Sequence, residues 1–348
     1  MTQRGNGEGA TLRDVARLAG VSLGTASQAL NKRNNVAPET RAKVLEAAAA
    51  LGYQHQTRVT VSNPQPLSVI GMILKQDGVM PMAANPFYSY VLSGVERECQ
   101  RMNLSLMFAS VEVDELNCPV SFPPMLLDQK VDGILVVGTF IEDTILEISQ
   151  RVDMPIVLID AYAPGKSFDS VIADNLNGAY AAVEYLIKQG HRNIGLIGSL
   201  PDAYPSIRER RKGYLRALKY HGIETSYIED GQLNRIPAYD ATCRLLRRAP
   251  EVTAIFACND ECAIGVMNAA REMGREIPSD LSVVGFDDID LAQEVTPALT
   301  TVHVDKVLMG VLAVRHLRDR AESLNRPALT TALSTQLIVR DSVLPPKR

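Results

Sequence analysis

The sequence predicts an α/β protein in which a small helical module precedes a larger core of two lobes, each built on a doubly wound parallel sheet. Its 348 residues exceed what one hydrophobic core ordinarily holds. Near the N-terminus, apolar residues recur every three or four positions, as they do on the buried face of a helix. Further along, short apolar strands alternate with amphipathic helical stretches, which is the pattern of parallel α/β sheets.

The N-terminal part predicts three short helices over residues 10–55, after a Gly-rich, polar tail at 1–9 that we expect to be disordered. Thr11 can cap the first helix, because its hydroxyl can accept a hydrogen bond from a free backbone N–H group. Gly20 follows the last apolar residue of this face and is suited to ending the helix.

Two further helices follow a Gly-Val-Ser turn. Ser22 can cap the second helix, which ends at Asn31. Pro38 stands where the first residue of the third helix should be, and Gly52 ends that helix. Proline suits the first helical position because its missing N–H would have no partner there in any case.

A hinge or linker is predicted over residues 56–66, because Pro64 and Pro66 exclude a continuous helix. The core then occupies residues 67–348. Its predicted strands include Ser68–Leu74, Ile134–Val137, Ile156–Ile159, Ile194–Ile197, Ala254–Ala257 and Ser282–Val284.

The core divides into two lobes because about ten strands exceed the four to six of an ordinary sheet. We assign about 67–170 and 300–327 to the first lobe, and about 171–299 and 328–341 to the second. In sheets of this kind, ligands bind at the carboxyl ends of the strands. The sequence therefore predicts a ligand site between the lobes.

The charge of the chain is unevenly distributed. The net charge is −4, but residues 1–60 carry eight Lys and Arg against four Asp and Glu. A polyanion would meet the helical module first. No stretch approaches the roughly 18 apolar residues of a membrane span, and no signal peptide is apparent. Five cysteines without C-x-x-C spacing indicate reduced thiols and no zinc site. We expect a cytoplasmic protein with no membrane partner.

The second helix of the module has the position of a recognition helix, which in a helix-turn-helix lies in the major groove. Gln28 can bond bidentately to adenine, and Leu23 can contact a thymine methyl group. Ser22, Thr25 and Arg41 are suited to phosphates. The candidate DNA contacts in the module are Thr11, Ser22, Leu23, Gly24, Thr25, Ser27, Gln28, Asn31 and Arg41. Helix pattern alone leaves a three-helix interaction module as the alternative.

The helical module is similar in sequence to a known family of DNA-binding domains. The stretch TLRDVARLAGVSLGTASQALNKRNNVAPETRAKVLEAAAALGY at 11–53 resembles the DNA-binding domain of the LacI/GalR family of bacterial transcription regulators. The match continues with NPFY at 85–88, VDGILVVG at 131–138, GHRNIGLIG at 190–198, RERRKGY at 208–214, CNDECAIG at 258–265, VVGFDD at 283–288 and PALTTV at 297–302. The resemblance implies a helix-turn-helix DNA-binding domain joined to a periplasmic-binding-protein-like core.

Two departures from the family pattern concern DNA recognition. Gln28 stands where the family usually has arginine, and Gly24 weakens the helix by up to about 1 kcal/mol, so relatives do not give the operator sequence. The family's hinge helix carries a leucine that wedges into the minor groove. Here the segment reads QHQTRVTVSNPQP, and Val59 or Val61 is the candidate wedge.

The resemblance also implies an effector pocket. A sugar is bound by planar groups that bond to neighbouring hydroxyls in pairs, as carboxylate, guanidinium and amide groups do. The residues that match pocket positions of the family are Phe87, Tyr88, Asp160, Arg210, Asn259 and Asp287. Tyr204 and Ser206, in the loop before Arg210, either add selectivity or shape a turn. The structural alternative is that Arg210 pairs with aspartate only to pin loops, while Asp260 and Asp288 cap helices.

Two carboxylates with one arginine favour a sugar as the small-molecule effector. A purine-type corepressor would need aromatic stacking and fewer carboxylates, and together with a protein corepressor it is the alternative. By resemblance, the expected outcome is repression relieved by an inducing sugar, with activation or corepression left open. The angle between the lobes would set the spacing of the two DNA-binding modules.

No enzyme signature accompanies these residues. The five histidines lie far apart, and the sequence has no G-x-S-x-G elbow, P-loop or H-x-x-x-H spacing. We therefore expect no catalysis, no metal and no cofactor. A sugar-binding enzyme with Asp160 and Asp287 as its acid and base is a less favoured alternative. A transport binding protein would have no reason to carry the module at 11–53.

A single module of about 50 residues offers few base contacts, so useful affinity requires two half-sites. We expect a homodimer on a pseudo-palindromic, double-stranded DNA operator, and nucleoid association when the operator is bound. Family tetramers carry a C-terminal helical tail, whereas this sequence reads DSVLPPKR at 341–348, where prolines oppose a helix.

Overall fold

The computed structural model describes residues 12–22, 25–26, 29, 37–51, 67–76, 85–113, 119–128, 130–138, 142–163, 168–201 and 203–347. Contacts divide the chain into two compact units, Met1–Gln65 and Pro66–Arg348. Each unit is described by itself.

The first unit contains helices α1 (Leu12–Leu18) and α2 (Pro38–Ala50). Gly20 has φ +65°, a left-handed conformation in which glycine ends a helix without steric cost. Among the described residues of the unit, the core is formed mainly by alanines, whose small side chains let the backbones approach closely. Its buried members are Val15, Ala16, Ala26, Ala29, Val44, Ala47 and Ala48. Helix α2 begins at Pro38, as the sequence predicts.

Ser22 caps the second helical segment. Its Oγ accepts a hydrogen bond from the backbone N–H of Thr25 at 3.1 Å, and the Ser22 and Thr25 hydroxyls are 2.8 Å apart. Thr25, Ala26 and Ala29 have helical conformation. The predicted cap at Ser22 is confirmed.

The second unit contains a six-stranded parallel sheet with strands β1 (Val69–Gln76), β2 (Ser105–Glu112), β3 (Gly133–Val137), β4 (Ile156–Ile159), β5 (Asp169–Ala173) and β11 (Thr330–Leu333). The spatial order is β11-β5-β4-β3-β1-β2. Apolar clusters cover both faces of the sheet, so β3, β4 and β5 are buried along their whole length. The helices of this lobe are α3 (Tyr88–Arg101), α4 (Pro124–Leu127), α5 (Glu142–Arg151) and α11 (Lys306–Glu322).

The second lobe is a four-stranded parallel sheet in the order β7-β6-β8-β9. Its strands are β6 (Ile194–Ile197), β7 (Tyr227–Glu229), β8 (Ala254–Ala257) and β9 (Ser282–Val284). The helices are α6 (Asn175–Lys188), α7 (Pro205–Tyr220), α8 (Arg235–Arg248), α9 (Asp260–Glu272) and α10 (Leu291–Glu294).

An antiparallel pair, β10 (Thr301–His303) and β12 (Gln336–Ile338), connects the lobes. The chain leaves the second lobe through β10 into α11, forms β11 in the first sheet and returns through β12. The two lobes are therefore joined by more than one crossing of the backbone, which limits their relative motion to hinge-like changes.

Four predicted strands, Ile156–Ile159, Ile194–Ile197, Ala254–Ala257 and Ser282–Val284, have the predicted ends. The lobe limits differ from those expected. We placed residues 171–299 and 328–341 in the second lobe, but Asp169–Ala173 and Thr330–Leu333 pair with each other in the first sheet. The lobe of each segment is decided by the pairing of two strands that lie about 160 residues apart in the chain. Such long-range pairing leaves no local signal in the sequence.

Within the described residues, no helix is long and apolar enough to cross a membrane. The same part of the chain contains no cluster of three or more His, Cys, Asp or Glu side chains that could hold a metal ion.

Candidate DNA-binding and effector sites

Three of the candidate DNA contacts lie in the described part of the first unit. Ser22 is exposed, while Thr25 and Arg41 are partly exposed. Arg17 and Lys43 add exposed positive charge to the same unit. The remaining candidates lie outside the described residues: Thr11, Leu23, Gly24, Ser27, Gln28, Asn31, Val59 and Val61.

The first-lobe half of the candidate effector site is built on β4 and the start of α3. The Tyr88 hydroxyl donates a hydrogen bond to Oδ2 of Asp160 at 3.1 Å, and both side chains are buried. Phe87 packs edge-on against the Tyr88 ring, with ring centres 5.0 Å apart. Asn85 Oδ1 accepts a hydrogen bond from the backbone N–H of Phe87 at 2.9 Å, which fixes the turn that leads into α3.

Gly138, at the end of β3, provides the room for Tyr88. A Cβ atom at this position would lie 2.1 Å from the Tyr88 hydroxyl oxygen. The glycine also has φ +42°, which side chains with a Cβ seldom adopt. The absence of a side chain here therefore lets Tyr88 reach Asp160.

The second-lobe half is centred on Arg210 of α7, which is 3% exposed. Its Nε donates to Oδ1 of Asn175 at 2.9 Å, and Nη1 donates to the carbonyl oxygen of Cys258 at 2.6 Å. The guanidinium carbon lies 3.8 Å from the centre of the Phe286 ring. Nη2 lies 3.0 Å from Oδ1 of Asp287. Since arginine has five N–H bonds, this network leaves N–H bonds of Nη1 and Nη2 for a ligand.

Both site aspartates hold oxygens that the protein does not satisfy. Oδ1 of Asp160 is buried without a hydrogen-bond partner, and so is Oδ1 of Asp287, whose contact with Arg210 is an ion pair and not an aligned hydrogen bond. Both residues also have positive φ, +53° at Asp160 and +108° at Asp287. Unpaired buried acceptors and strained backbone are both costly, and both concentrate at ligand sites.

The electrostatics of the two halves are linked. Burial raises the pKa of Asp160 to about 6, and the negative charge of Asp287 adds to this, while Arg210 and the Tyr88 hydrogen bond lower it. Burial likewise raises the pKa of Asp287, against the lowering effects of Arg210 and Lys306. A ligand that donates hydrogen bonds to these carboxylates would stabilise their charged forms. The arrangement is suited to binding hydroxyl groups.

Asn259 and Ser206 have structural positions at helix starts. The Asn259 side chain caps α9 by accepting a hydrogen bond from the backbone N–H of Cys262 at 2.8 Å, and its amide donates to the carbonyl oxygen of Leu233 at 3.4 Å. Ser206 is buried in the first turn of α7. For both residues, ligand contact stays a prediction.

Asp260 and Asp288 do not cap helices as the structural alternative supposed. Asp260 accepts hydrogen bonds from the Thr301 hydroxyl and the backbone N–H of Ile289. Asp288 pairs with Arg340 and His303. Both carboxylates therefore tie the β9–α10 loop and β10 together, because tertiary contacts outweigh the local capping preference of aspartate.

Four further residues build the site and carry little signal in the sequence. Asn175 orients Arg210, Phe286 lies under its guanidinium, Lys306 lies behind Asp287, and Tyr162 lies close enough to Asp160 and Arg210 for their charges to affect its pKa. Asn175 lies two residues after the end of β5, and a polar residue so close to a strand end is a usable signal. Phe286 and Lys306 read in the sequence as an ordinary core residue and an ordinary helix start.

Contacts between side chains of the two lobes include two hydrogen bonds of the described residues. Lys75, at the end of β1, donates to the Tyr204 hydroxyl at 3.0 Å. Tyr90, on α3, donates to Oδ2 of Asp290 at 2.5 Å. Tyr204, the residue that precedes α7, thus contacts the opposite lobe.

Family comparisons agree with both units. The model of the bacterial regulatory proteins of the lacI family matches residues 11–56. The model of the periplasmic binding protein-like domain matches residues 183–343.

Two curated relatives align over nearly their whole length. The HTH-type transcriptional repressor PurR of Photobacterium profundum is 32% identical over 338 residues, covering 96% of this chain and 98% of the relative. The Ribose operon repressor of Escherichia coli is 36% identical over 315 residues, covering 89% of this chain and 93% of the relative.

Solved structures show the same architecture. A complex of the transcriptional regulator CelR with cellobiose has a TM-score of 0.71 at 29% identity, covering 96% of this chain and 99% of that chain. The lac repressor dimer bound to operator and the anti-inducer ONPF has a TM-score of 0.70 at 26% identity, covering 97% and 100%.

Proposed function

Because the chain belongs to the LacI family of bacterial regulatory proteins, we propose that it is a transcriptional repressor whose operator is released when a monosaccharide, with ribose as the first candidate, binds between the lobes. The relatives are repressors that bind DNA, and the chain is a regulator and not an enzyme. Its partners are double-stranded operator DNA, a small-molecule effector and a second copy of the chain.

The sugar assignment is supported chiefly by one observation: Asp160 buries a carboxylate oxygen without a hydrogen-bond partner, while the buried Oδ1 of Asp287 has only the ion pair with Arg210. A buried acceptor without a donor costs about 1–3 kcal/mol, which a ligand with hydroxyl donors would recover. Arg210 adds N–H donors for the lone pairs of the same hydroxyls. Each hydroxyl of a sugar offers both a donor and an acceptor.

Ribose is the first candidate because it is named in the Ribose operon repressor, a relative that is 36% identical to this chain, against 32% for PurR of Photobacterium profundum. The site residues Phe87, Tyr88, Asp160, Ser206, Arg210, Asn259 and Asp287 are proposed to contact the effector. The DNA contacts proposed above include Ser22, Thr25 and Arg41, which would hold phosphates.

A purine corepressor is the second candidate, since the PurR relative aligns with 96% of this chain. Phe87, Tyr88 and Tyr162 provide aromatic surface near the site. The two carboxylates weigh against it, because a carboxylate repels the acceptor atoms of a purine ring.

The proposed coupling uses the dimer. A twofold dimer presents two DNA-binding modules to the two half-sites of a pseudo-palindrome. An effector that favours one lobe angle would change the spacing of the modules and shift operator affinity by a coupling free energy of about 1–3 kcal/mol. We propose that this takes place in the cytoplasm and that the operator-bound dimer is associated with the nucleoid.

Thermal unfolding of the purified protein with D-ribose, cellobiose and purine bases tests the assignment. A ligand at about 100 times its Kd adds about 2.7 kcal/mol to the stability of the state it binds. We expect ribose to stabilise the wild-type protein. Asp160→Asn should lose this stabilisation, whereas the control Asp128→Asn, at an exposed residue, should retain it. Stabilisation by a purine alone would replace the sugar with the second candidate.

A further inference from the structure

Lys306 occupies an unusual place between the lobes. It is the first residue of α11, the helix that follows the crossover strand β10 and packs in the first lobe. Its side chain is buried, at 6% exposure for the whole residue. A buried ammonium group is costly unless it is fully hydrogen-bonded, so its partners show what it stabilises.

Those partners are two main-chain carbonyls of the turn that carries Asp287. Nζ of Lys306 donates to the carbonyl oxygen of Asp287 at 2.5 Å and to that of Asp288 at 2.9 Å. Both aspartates have positive φ, +108° and +52°. Such conformations cost about 1–3 kcal/mol in residues with a Cβ and persist only where surrounding contacts hold them. The ammonium group provides such contacts from the opposite lobe.

The same turn is held at a second point. Tyr90 of α3 donates to the carboxylate of Asp290, and Nζ of Lys306 lies 5.9 Å from the centre of the Tyr90 ring. Helices α3 and α11 cross in close contact, since a Cβ at Gly94 would lie 2.1 Å from the Val307 carbonyl oxygen. Two closely packed helices of the first lobe therefore hold residues 287–290 of the second.

The orientation of Asp287 follows from this. Its backbone is fixed by Lys306 on one side, and its carboxylate faces Nη2 of Arg210 at 3.0 Å on the other. Because Lys306 contacts the main chain of Asp287, it can set the direction of the carboxylate without occupying the space that a ligand needs.

We propose that Lys306 is a positioning residue of the effector site, which holds the 287–288 turn so that Asp287 and Arg210 present their polar groups to the ligand, and which links that turn to α3 and α11. The proposal rests on the proposed effector function for its consequence in ligand binding. The positioning of the turn itself is independent of which ligand binds.

The test compares three variants of the full chain. Lys306→Met keeps the length of the side chain and removes the charge and donors, Lys306→Arg keeps both, and Lys188→Met removes an exposed lysine that pairs with Glu184 far from the turn in sequence. Isothermal titration with D-ribose gives the affinity. Hydrogen exchange of peptides covering residues 285–290 gives the order of the turn without any ligand.

We expect Lys306→Met to weaken ribose binding at least about tenfold and to speed exchange at 285–290 by a similar factor, while Lys306→Arg recovers most of both. Exchange over residues 38–50 should not change. If Lys306→Met does not fold, the neutral donor variant Lys306→Gln takes its place in the comparison with Lys306→Arg.

Exchange and affinity of Lys306→Met equal to those of Lys188→Met would overturn the proposal, as would an arginine variant no better than the methionine one. Failure of the wild-type protein to bind ribose or any other sugar would instead refute the sugar function. The exchange measurement would then still decide whether Lys306 positions the turn.

Discussion

The hydroxyl of Tyr88 donates to one carboxylate oxygen of Asp160 at 3.1 Å, while the other oxygen of Asp160 is buried without a partner. The protein thus provides a hydrogen-bond donor for one oxygen of this carboxylate, and we propose that a ligand provides the donor for the other. Since Tyr88 begins α3 and Asp160 directly follows β4, the pairing also fixes the first-lobe half of the site.

The unpaired oxygen leads to the first prediction. Asp160→Asn should weaken binding of the sugar effector at least about tenfold, because the amide has one acceptor oxygen in place of two and carries no negative charge. Calorimetric titration measures the loss. Asp128→Asn, at an exposed side chain, should bind as the wild type does. Equal affinities of the two variants would remove Asp160 from the site.

Stability should depend on pH through Asp160. Its folded-state pKa of about 6 lies above the unfolded value, so between about pH 4 and pH 6 the folded state holds the extra proton. The contribution of Asp160 to the free energy of unfolding is therefore fully present below the unfolded pKa. It is lost as the pH rises through 6, and the loss is on the order of 1–3 kcal/mol. Other carboxylates titrate in the same range, including Asp260, whose pKa burial raises to about 8.

The difference in free energy of unfolding between the wild type and Asp160→Asn isolates the effect of Asp160. Urea unfolding of the wild type and Asp160→Asn at several pH values should show the variant gaining relative stability from pH 4 to pH 7. A stability difference that stays constant with pH would contradict the raised pKa.

Gly138→Ala should destabilise the core by more than a positive-φ substitution alone. Its Cβ would meet the Tyr88 hydroxyl at 2.1 Å, whereas Gly222, with φ +65°, has nothing within 4 Å. We expect Gly222→Ala to lower the free energy of unfolding by about 1 kcal/mol. Gly138→Ala should lower it by about 1–3 kcal/mol more, as measured by urea unfolding. Similar losses for both variants would show that Tyr88 moves aside at little cost.

The role of Ser22 can be divided between helix capping and phosphate contact. Ser22→Ala should speed amide exchange at residues 25–29, because cap removal costs about 1 kcal/mol. Ser22→Asp keeps a cap but places a negative charge near DNA. We expect its helix to stay ordered while its affinity for nonspecific duplex DNA at low salt falls below that of Ser22→Ala. If Ser22→Asp binds DNA as tightly as the wild type, Ser22 does not contact phosphate.

The predictable part of the fold consists of elements with strong local patterns. β4, β6, β8 and β9 are short, continuous apolar runs buried on both faces, and their ends agree with the sequence. β2 was not identified because it is an edge strand with mixed exposure. The lobe predicted for residues 330–333 was wrong, since their partner strand β5 is distant in the chain.

The candidate site shows the same division. Asp160, Arg210 and Asp287 could be named because polar residues after buried strands, and a match to a family motif, mark them in the sequence. Lys306 and Phe286 could not be named from the sequence, because a lysine at a helix start and a phenylalanine after a glycine have common structural explanations. Their roles follow from distances across elements that no local pattern encodes.

By itself, the sequence determined the helical module with its Ser22 cap and Pro38 start, the parallel α/β core and the membership of a regulator family, because periodicity, capping chemistry and motif spacing are local properties. Only the tertiary structure decided which strands share a sheet, which aspartate oxygens have no partner, and that Lys306 of one lobe holds the Asp287 turn of the other. These depend on the packing of residues far apart in the chain, where burial sets the free-energy cost of each polar group.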